Sequence, residues 1–179
     1  MKNTFWNEAS RGGAILGAAS VAFTCASLFL PQSAGFVMEL ASFVVTLYLL
    51  FYYTKQRADK FPKQGYTYAQ SLGFMVAMGV FAGIILGAFQ ILASNFLFAE
   101  VYEEKYQAVI AMYAQYGKFD NNMMDMLTST MRSYIFSPIP ALISNVLASI
   151  FTYGFYGLFI SIGTKREADI FNNSTSDEE

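Results

Sequence analysis

The chain has 179 residues, of which 55% are hydrophobic and only 13% are charged. Soluble domains average about 25% charged residues, so this composition excludes an ordinary soluble domain and indicates a membrane protein. A single cysteine, Cys25, and the lack of histidine exclude an intrachain disulfide, a cysteine metal cluster and the usual catalytic base. We expect no metal, no other cofactor and no nucleic-acid partner.

Four apolar segments predict an all-α fold with four transmembrane helices, because about 20 apolar residues cross a bilayer. The predicted spans cover about residues 12–30, 35–53, 69–98 and 138–163, within a single domain of residues 1–171. The polar residues 1–11 are predicted to form a short segment before the first span. Residues 172–179 are Asn, Ser, Thr, Asp and Glu, a composition that predicts a disordered tail.

Small residues recur at every fourth position in two of the spans. The first span carries Gly13 and Gly17, and the third carries Gly79, Gly83 and Gly87. Such stripes let the backbones of two membrane helices approach closely. We expect the third helix to be the centre of the bundle, with its stripe packed against the first helix. Packing between two copies of the chain is the alternative.

Basic residues indicate how the helices are threaded. Lys and Arg are enriched in cytoplasmic loops, and here eight lie on one predicted side of the membrane and three on the other. The eight are Lys2, Arg11, Lys55, Arg57, Lys60, Lys63, Lys165 and Arg166. Both termini are therefore predicted to be cytoplasmic. Within this set, Lys55, Arg57, Lys60 and Lys63 are also candidate contacts for anionic lipid headgroups.

The segment 100–137 is a long polar excursion between the third and fourth spans. Aromatic and aliphatic residues recur in it at helical spacing, and Gly117 and Asp120 are typical of a helix stop and an N-cap. This pattern predicts an amphipathic helical segment on the outer side, in two helices that lie on the membrane surface or cap the bundle.

Four polar residues lie at comparable depth inside the predicted spans. They are Glu39, Gln90, Asn95 and Asn145, and Glu39 is the only charged one. The favoured interpretation is hydrogen bonding between helices, which contributes about 0.6 kcal/mol per bond. The alternative is an outward-facing polar pocket around Glu39, because an ionisable residue in a membrane marks a candidate functional site.

The basic loop, the segment Gly65-Tyr66-Thr67-Tyr68-Ala69-Gln70-Ser71 and the acidic-aromatic segment 100–106 together carry a family resemblance. The chain resembles the small four-helix membrane proteins grouped as domain of unknown function 4199, which are found mainly in Bacteroidota. The resemblance implies a bacterial, multi-pass protein of the inner membrane. It implies no activity and supplies no catalytic residue.

No catalytic motif stands out in the sequence, so we expect a protein without enzymatic activity. The favoured function is that of an accessory or structural membrane protein that acts through membrane lipids, a protein partner or a second copy of the chain. The alternative is a small transporter or channel component that uses the pocket around Glu39. Four spans without a broken helix or an internal repeat favour the first function.

Overall fold

The computed structural model describes residues 2–30, 32–62, 64–116 and 119–167. These residues form six α-helices and no strand: α1 Lys2–Phe29, α2 Gln32–Ala58, α3 Tyr68–Leu92, α4 Ala99–Tyr116, α5 Asn121–Phe136 and α6 Pro138–Thr164. Four of them, α1, α2, α3 and α6, are long and apolar enough to cross a membrane. The headgroup contact predicted at Lys63, the helix stop at Gly117 and the tail at 172–179 lie outside the described residues.

Two helices are longer than the apolar segments that predict them. The first eleven residues are not a separate segment, since α1 begins at Lys2. At the same end of the bundle, α2 continues beyond its apolar segment, through basic residues, to Ala58. Ion pairs stabilise these extensions: Glu8 of α1 pairs with Arg57 and Lys60. These contacts keep the polar ends of both helices packed together.

The third helix is the centre of the bundle, as predicted. It packs against α6 on one side and against α1 on the other, while α2 lies outside and packs mainly against α1. The apolar core forms around α3, and its members are Ala9, Leu16, Leu50, Phe74, Met75, Ala77, Met78, Ala82 and Tyr153.

The glycines of α3 face α6, so the prediction that they pack against α1 is wrong. A Cβ placed on Gly83 would lie 2.6 Å from Cα of Val146, in α6. A Cβ placed on Gly79 would lie 3.0 Å from the backbone oxygen of Ser149, and one placed on Gly87 would lie 3.0 Å from Cα of Leu142. The packing is within one chain, and each close approach meets backbone.

The glycines of α1 face a different side of α3. A Cβ on Gly13 would lie 2.5 Å from the backbone oxygen of Met78, and one on Gly17 would lie 2.9 Å from Cβ of Ile85. At each interface the small residues let the two helix backbones approach closely. The two stripes therefore make two separate interfaces of α3 instead of one shared interface.

We call the end of the bundle that holds Glu8, residues 57–67 and Arg166 the basic end. Here the loop after α2 is joined to the chain after α6, because Tyr66 and Arg166 exchange two backbone hydrogen bonds of 2.8 Å. Gly65 has a φ of 75°, which glycine adopts without strain. Thr67 and Gln70 then form a capping box that starts α3, satisfying backbone donors that would otherwise lack partners.

We call the opposite end, covered by α4 and α5, the cap end. Between these helices the Tyr106 hydroxyl donates a 3.0 Å hydrogen bond to the backbone oxygen of Thr128. Glu103 accepts from Gln107 at 2.9 Å and from Arg132 at 3.2 Å. These contacts, with the bond from Gln107 the larger cause, lower the pKa of Glu103. The prediction of an N-cap at Asp120 is confirmed.

The last turns of α3 are wider than an α-helix. A π-helical turn spans Ala93–Leu97, inside the segment for which the sequence predicts one continuous helix. It allows Ser94 and Asn95 to donate hydrogen bonds of 3.0 and 3.1 Å to the backbone oxygens of Ile135 and Phe136. Such turns are often found where side chains are redirected, and this one ties α3 to the end of α5.

Candidate polar cavity between the membrane helices

A cavity of about 340 Å³ lies among α1, α2, α3 and α6, with most of its lining from α2 and α6. Seven of the lining side chains carry a hydroxyl group, one carries a carboxylate and one carries an amide. The lining residues are Ser20, Glu39, Ser42, Phe43, Thr46, Leu86, Asn145, Ala148, Ser149, Thr152, Tyr153 and Tyr156.

Helical spacing explains how two polar stripes come to face each other. On α2, Ser42 and Thr46 follow Glu39 by three and seven residues, which places all three on one face. On α6, Ser149 and Thr152 follow Asn145 by four and seven residues. Since α2 packs mainly against α1 and only sparsely against α6, space remains between the two stripes.

Several hydroxyl groups of the lining are available to a ligand or to water. Serine and threonine in helices commonly donate back to a carbonyl oxygen in the preceding turn, as Thr24 and Ser144 do here at 2.9 and 3.0 Å. By contrast, no protein hydrogen bond within the described part of the chain involves the hydroxyls of Ser42, Thr46 or Thr152.

The carboxylate of Glu39 gives the cavity its charge. It is the only charged residue in the four apolar segments, and no ion pair joins it to any residue that the structure describes. It lies seven residues after the start of α2 at Gln32, or about 10 Å along the helix. No Lys or Arg lines the cavity, so its electrostatic potential favours a cation.

Asn145 adds a second acceptor. Its amide group donates one hydrogen bond to Oε1 of Gln90 at 2.7 Å and another to the backbone oxygen of Ala141 at 2.8 Å. Both amide hydrogens are therefore used, and Oδ1 is left to accept from the cavity. A ligand that brings donors or positive charge would complement both Glu39 and Asn145.

The structure brings together some of the predicted pocket residues and separates others. Glu39 and Asn145 line the cavity. Gln90 stands behind Asn145 and also donates to the backbone oxygen of Tyr134 at 3.2 Å. Asn95, on the π-helical turn, bonds to backbone at the cap end. The favoured interpretation, hydrogen bonding between helices, therefore applies to Gln90 and Asn95. The alternative, a polar pocket, applies to Glu39 and Asn145, which line the cavity.

Sequence reasoning missed the hydroxyl residues of the lining. They are Ser20, Ser42, Thr46, Ser149, Thr152, Tyr153 and Tyr156. A usable signal was present, because polar residues fall three, four and seven positions after Glu39 or Asn145. Single serines and threonines are common in membrane helices, so only their shared face carries information.

Two aromatic residues form the wall at one end of the cavity. The rings of Phe43 and Tyr156 meet edge to face, with centroids 5.5 Å apart, across the gap between α2 and α6. Both also line an apolar groove of about 660 Å³ that continues toward the basic end. With Tyr153, they are the three aromatic side chains of the cavity lining.

Three of the four predicted headgroup residues belong to the described part of the chain, and their surroundings differ. Arg57 and Lys60 are paired with Glu8, whereas exposed Lys55 lies over the ring of Phe51 at 5.7 Å. Burial raises the pKa of nearby Tyr66, and Arg57 opposes this shift.

No group of three His, Cys, Asp or Glu that could hold a metal ion occurs among the described residues.

A comparison with protein families matches this chain to a known family. The family described as "Protein of unknown function (DUF4199)" matches residues 11–165, which include the four predicted apolar segments and the cap. No curated protein and no solved structure matches the chain. The match confirms the resemblance that the basic loop and the start of α3 carry. Because it covers most of the sequence, the chain belongs to the DUF4199 family.

Proposed function

We propose that this protein is a small transporter or channel component of the bacterial inner membrane that binds a small organic cation between α2 and α6. One observation carries the proposal. The carboxylate of Glu39, which forms no ion pair with a described residue, lies in the cavity with the acceptor Oδ1 of Asn145 and with the hydroxyls of Ser42, Thr46 and Thr152. Such a lining is complementary to an ammonium group and repels an anion.

Charge favours a cationic occupant. Glu39 is exposed and lies about 10 Å from the start of α2, where a carboxylate keeps its charge at less cost than at a helix centre. No Lys or Arg pairs with it within the described residues, so a bound cation would be its counter-charge. Aromatic rings attract organic ammonium ions, and Phe43, Tyr153 and Tyr156 are among the residues that line the cavity.

Binding of choline to the purified protein in mild detergent tests the proposal. Choline and tetramethylammonium should raise the unfolding temperature in a saturable way, because a ligand of the folded state stabilises it by mass action. The neutral carbon isostere of choline has the same shape without the charge and should have at least ten-fold lower affinity. Equal responses to choline and to this isostere would refute a charge-selective site.

Variants of glutamate residues supply the matched control. Glu39→Gln keeps the size and hydrogen bonding of the side chain and removes its charge, so it should abolish the response to choline. Glu104→Gln makes the same change at an exposed position of α4 and should leave the response intact. If Glu39→Gln still responds like the wild type, the cavity is not the binding site.

The orientation of the chain is part of this proposal. The distribution of Lys and Arg supports cytoplasmic termini, which would place the cap end and the Glu39 side of the cavity toward the periplasm. Reporter fusions after Lys63 and at Glu179 should therefore be cytoplasmic, and a fusion at Gly117 should be periplasmic. A cytoplasmic reporter at Gly117 would contradict this orientation.

A second function, as an accessory protein that acts through lipids or a protein partner, is favoured by the surface of α5. None of its side chains is buried, yet Met123, Met126 and Tyr134 are apolar or aromatic and more than half exposed. Affinity purification in mild detergent, with mass spectrometry of co-purifying proteins and lipids, tests this function. Loss of a stoichiometric partner in Met126→Glu would support it, and an unchanged set of co-purifying molecules would count against it.

A further inference from the structure

We propose that the basic end contains a binding site for a phosphate group, formed between α1 and α2 and separate from the Glu39 cavity. A small cavity of about 190 Å³ opens there, and basic and aromatic side chains dominate its lining. The lining residues are Glu8, Arg11, Tyr52, Tyr53, Gln56, Arg57, Lys60 and Phe74. The phosphate could belong to a lipid headgroup or to a soluble molecule, and the two sources can be distinguished.

Charge is the first argument. Three cationic side chains and one carboxylate line the cavity, so its formal net charge is +2. Glu8 is shared between Arg57 and Lys60, while Arg11 is exposed and forms no ion pair with any described residue. An anion bound here would therefore meet uncompensated positive charge. A phosphate diester carries one negative charge, and a monoester carries up to two.

The rigidity of Arg57 is the second argument. Only 8% of this residue is exposed, and its guanidinium lies over Phe5, Phe61 and Phe74 at 4.9, 5.4 and 5.1 Å from the ring centroids. Its Nε atom is buried without a hydrogen-bond partner in the described structure. A guanidinium already fixed in place loses little entropy when it binds phosphate, and its planar donors suit phosphate geometry.

Position along the helices is the third argument. Arg11 is the last charged residue before the uncharged segment 12–30, and Gln56 and Arg57 lie three and four residues after the apolar segment 35–53 of α2. Tyr52 and Tyr53 line the side of the cavity nearer the apolar segment, and tyrosine is enriched where headgroups begin. The cavity therefore lies at the depth at which the phosphates of a bilayer are found.

The experiment uses the full-length protein in mild detergent, delipidated and then titrated with phosphatidylglycerol, with diacylglycerol that lacks the phosphate, or with inorganic phosphate. Thermal unfolding at constant ionic strength is the measurement. We expect phosphatidylglycerol to stabilise the protein and diacylglycerol to have no effect. Stabilisation by inorganic phosphate, and its competition with the lipid, would assign the site to any phosphate. Stabilisation by the lipid alone would assign it to a headgroup.

Arg11→Gln tests the site without touching the buried Arg57. Its affinity for the phosphate ligand should fall about five-fold, the loss expected from one cation near a membrane surface, while its unfolding temperature without ligand stays unchanged. Lys165→Gln removes the same charge at an exposed position directly after α6, at the same end of the bundle, and Lys165 does not line the cavity, so affinity should be retained. Equal losses in both variants, no loss in Arg11→Gln, or an equal response to diacylglycerol would each overturn the proposal.

Discussion

Replacement of Gly83 by leucine is expected to disrupt the packing of α3 against α6 and to destabilise the protein by about 3 kcal/mol. A single Cβ at this position would lie 2.6 Å from Cα of Val146 and 2.9 Å from the backbone oxygen of Asn145. Backbone atoms cannot move aside as the end of a flexible side chain can, so the two helices must separate. Thermal unfolding in detergent should show a large fall in unfolding temperature.

The same substitution at Gly73 is the matched control. This glycine lies on α3 too, but no atom comes within 4 Å of a Cβ placed there. Leucine is a better helix former than glycine by up to about 1 kcal/mol, so Gly73→Leu should be neutral or slightly stabilising. Both variants make the span more apolar and should insert normally. If Gly83→Leu and Gly73→Leu unfold at the same temperature, close packing at the stripe does not stabilise the bundle.

Loss of the Arg57 side-chain charge should have the second-largest effect. Arg57→Gln removes an ion pair with Glu8 and three contacts between the guanidinium and aromatic rings. We expect a loss of about 2–3 kcal/mol in the free energy of unfolding. The figure stays below that for a fully buried pair because Glu8 keeps Lys60 as a partner. Chemical or thermal unfolding of the delipidated protein measures it.

Two comparisons separate the causes of this loss. Lys55→Gln, at an exposed position, should change the free energy of unfolding by no more than about 0.5 kcal/mol. The double variant Glu8→Gln/Arg57→Gln should be more stable than the sum of the single effects, because it does not leave the carboxylate underpaired. Additive effects would mean that the aromatic contacts of Arg57, and not its pairing with Glu8, account for its contribution.

The long uncharged segments predict the four spanning helices because length and polarity alone decide whether a helix can cross a membrane. The packing partner of the glycine stripe could not be predicted in this way. Small residues at Gly13 and Gly17 made α1 as acceptable a partner as α6, and spacing along one helix does not fix which neighbour it meets. Only the three-dimensional arrangement shows that α3 uses a different face for each.

The candidate cavity is a similar case. Glu39 and Asn145 are conspicuous in apolar helices, and their sequence positions place them at one depth. The space between them exists because α2 packs mainly against α1 and only sparsely against α6. The sequence of an almost uniformly apolar helix does not specify this packing. Asn95 was predicted to line the pocket and does not. It lies in the π-helical turn at Ala93–Leu97, which changes the direction of its side chain, and no residue type in the sequence indicates such a turn.

The packing of α6 over the stripe of α3 has a consequence for biosynthesis. The stripe is synthesised before α4 and α5, whereas the helix that covers it is synthesised after them. At about 5–20 residues per second, the interval between the two is on the order of ten seconds. During that time the nascent chain presents the uncovered glycines of α3 to the lipid and to other newly inserted helices. A chain whose translation stalls before Pro138 would keep the glycines of α3 uncovered. Translation arrest at that point is therefore a route to misassembly of this protein.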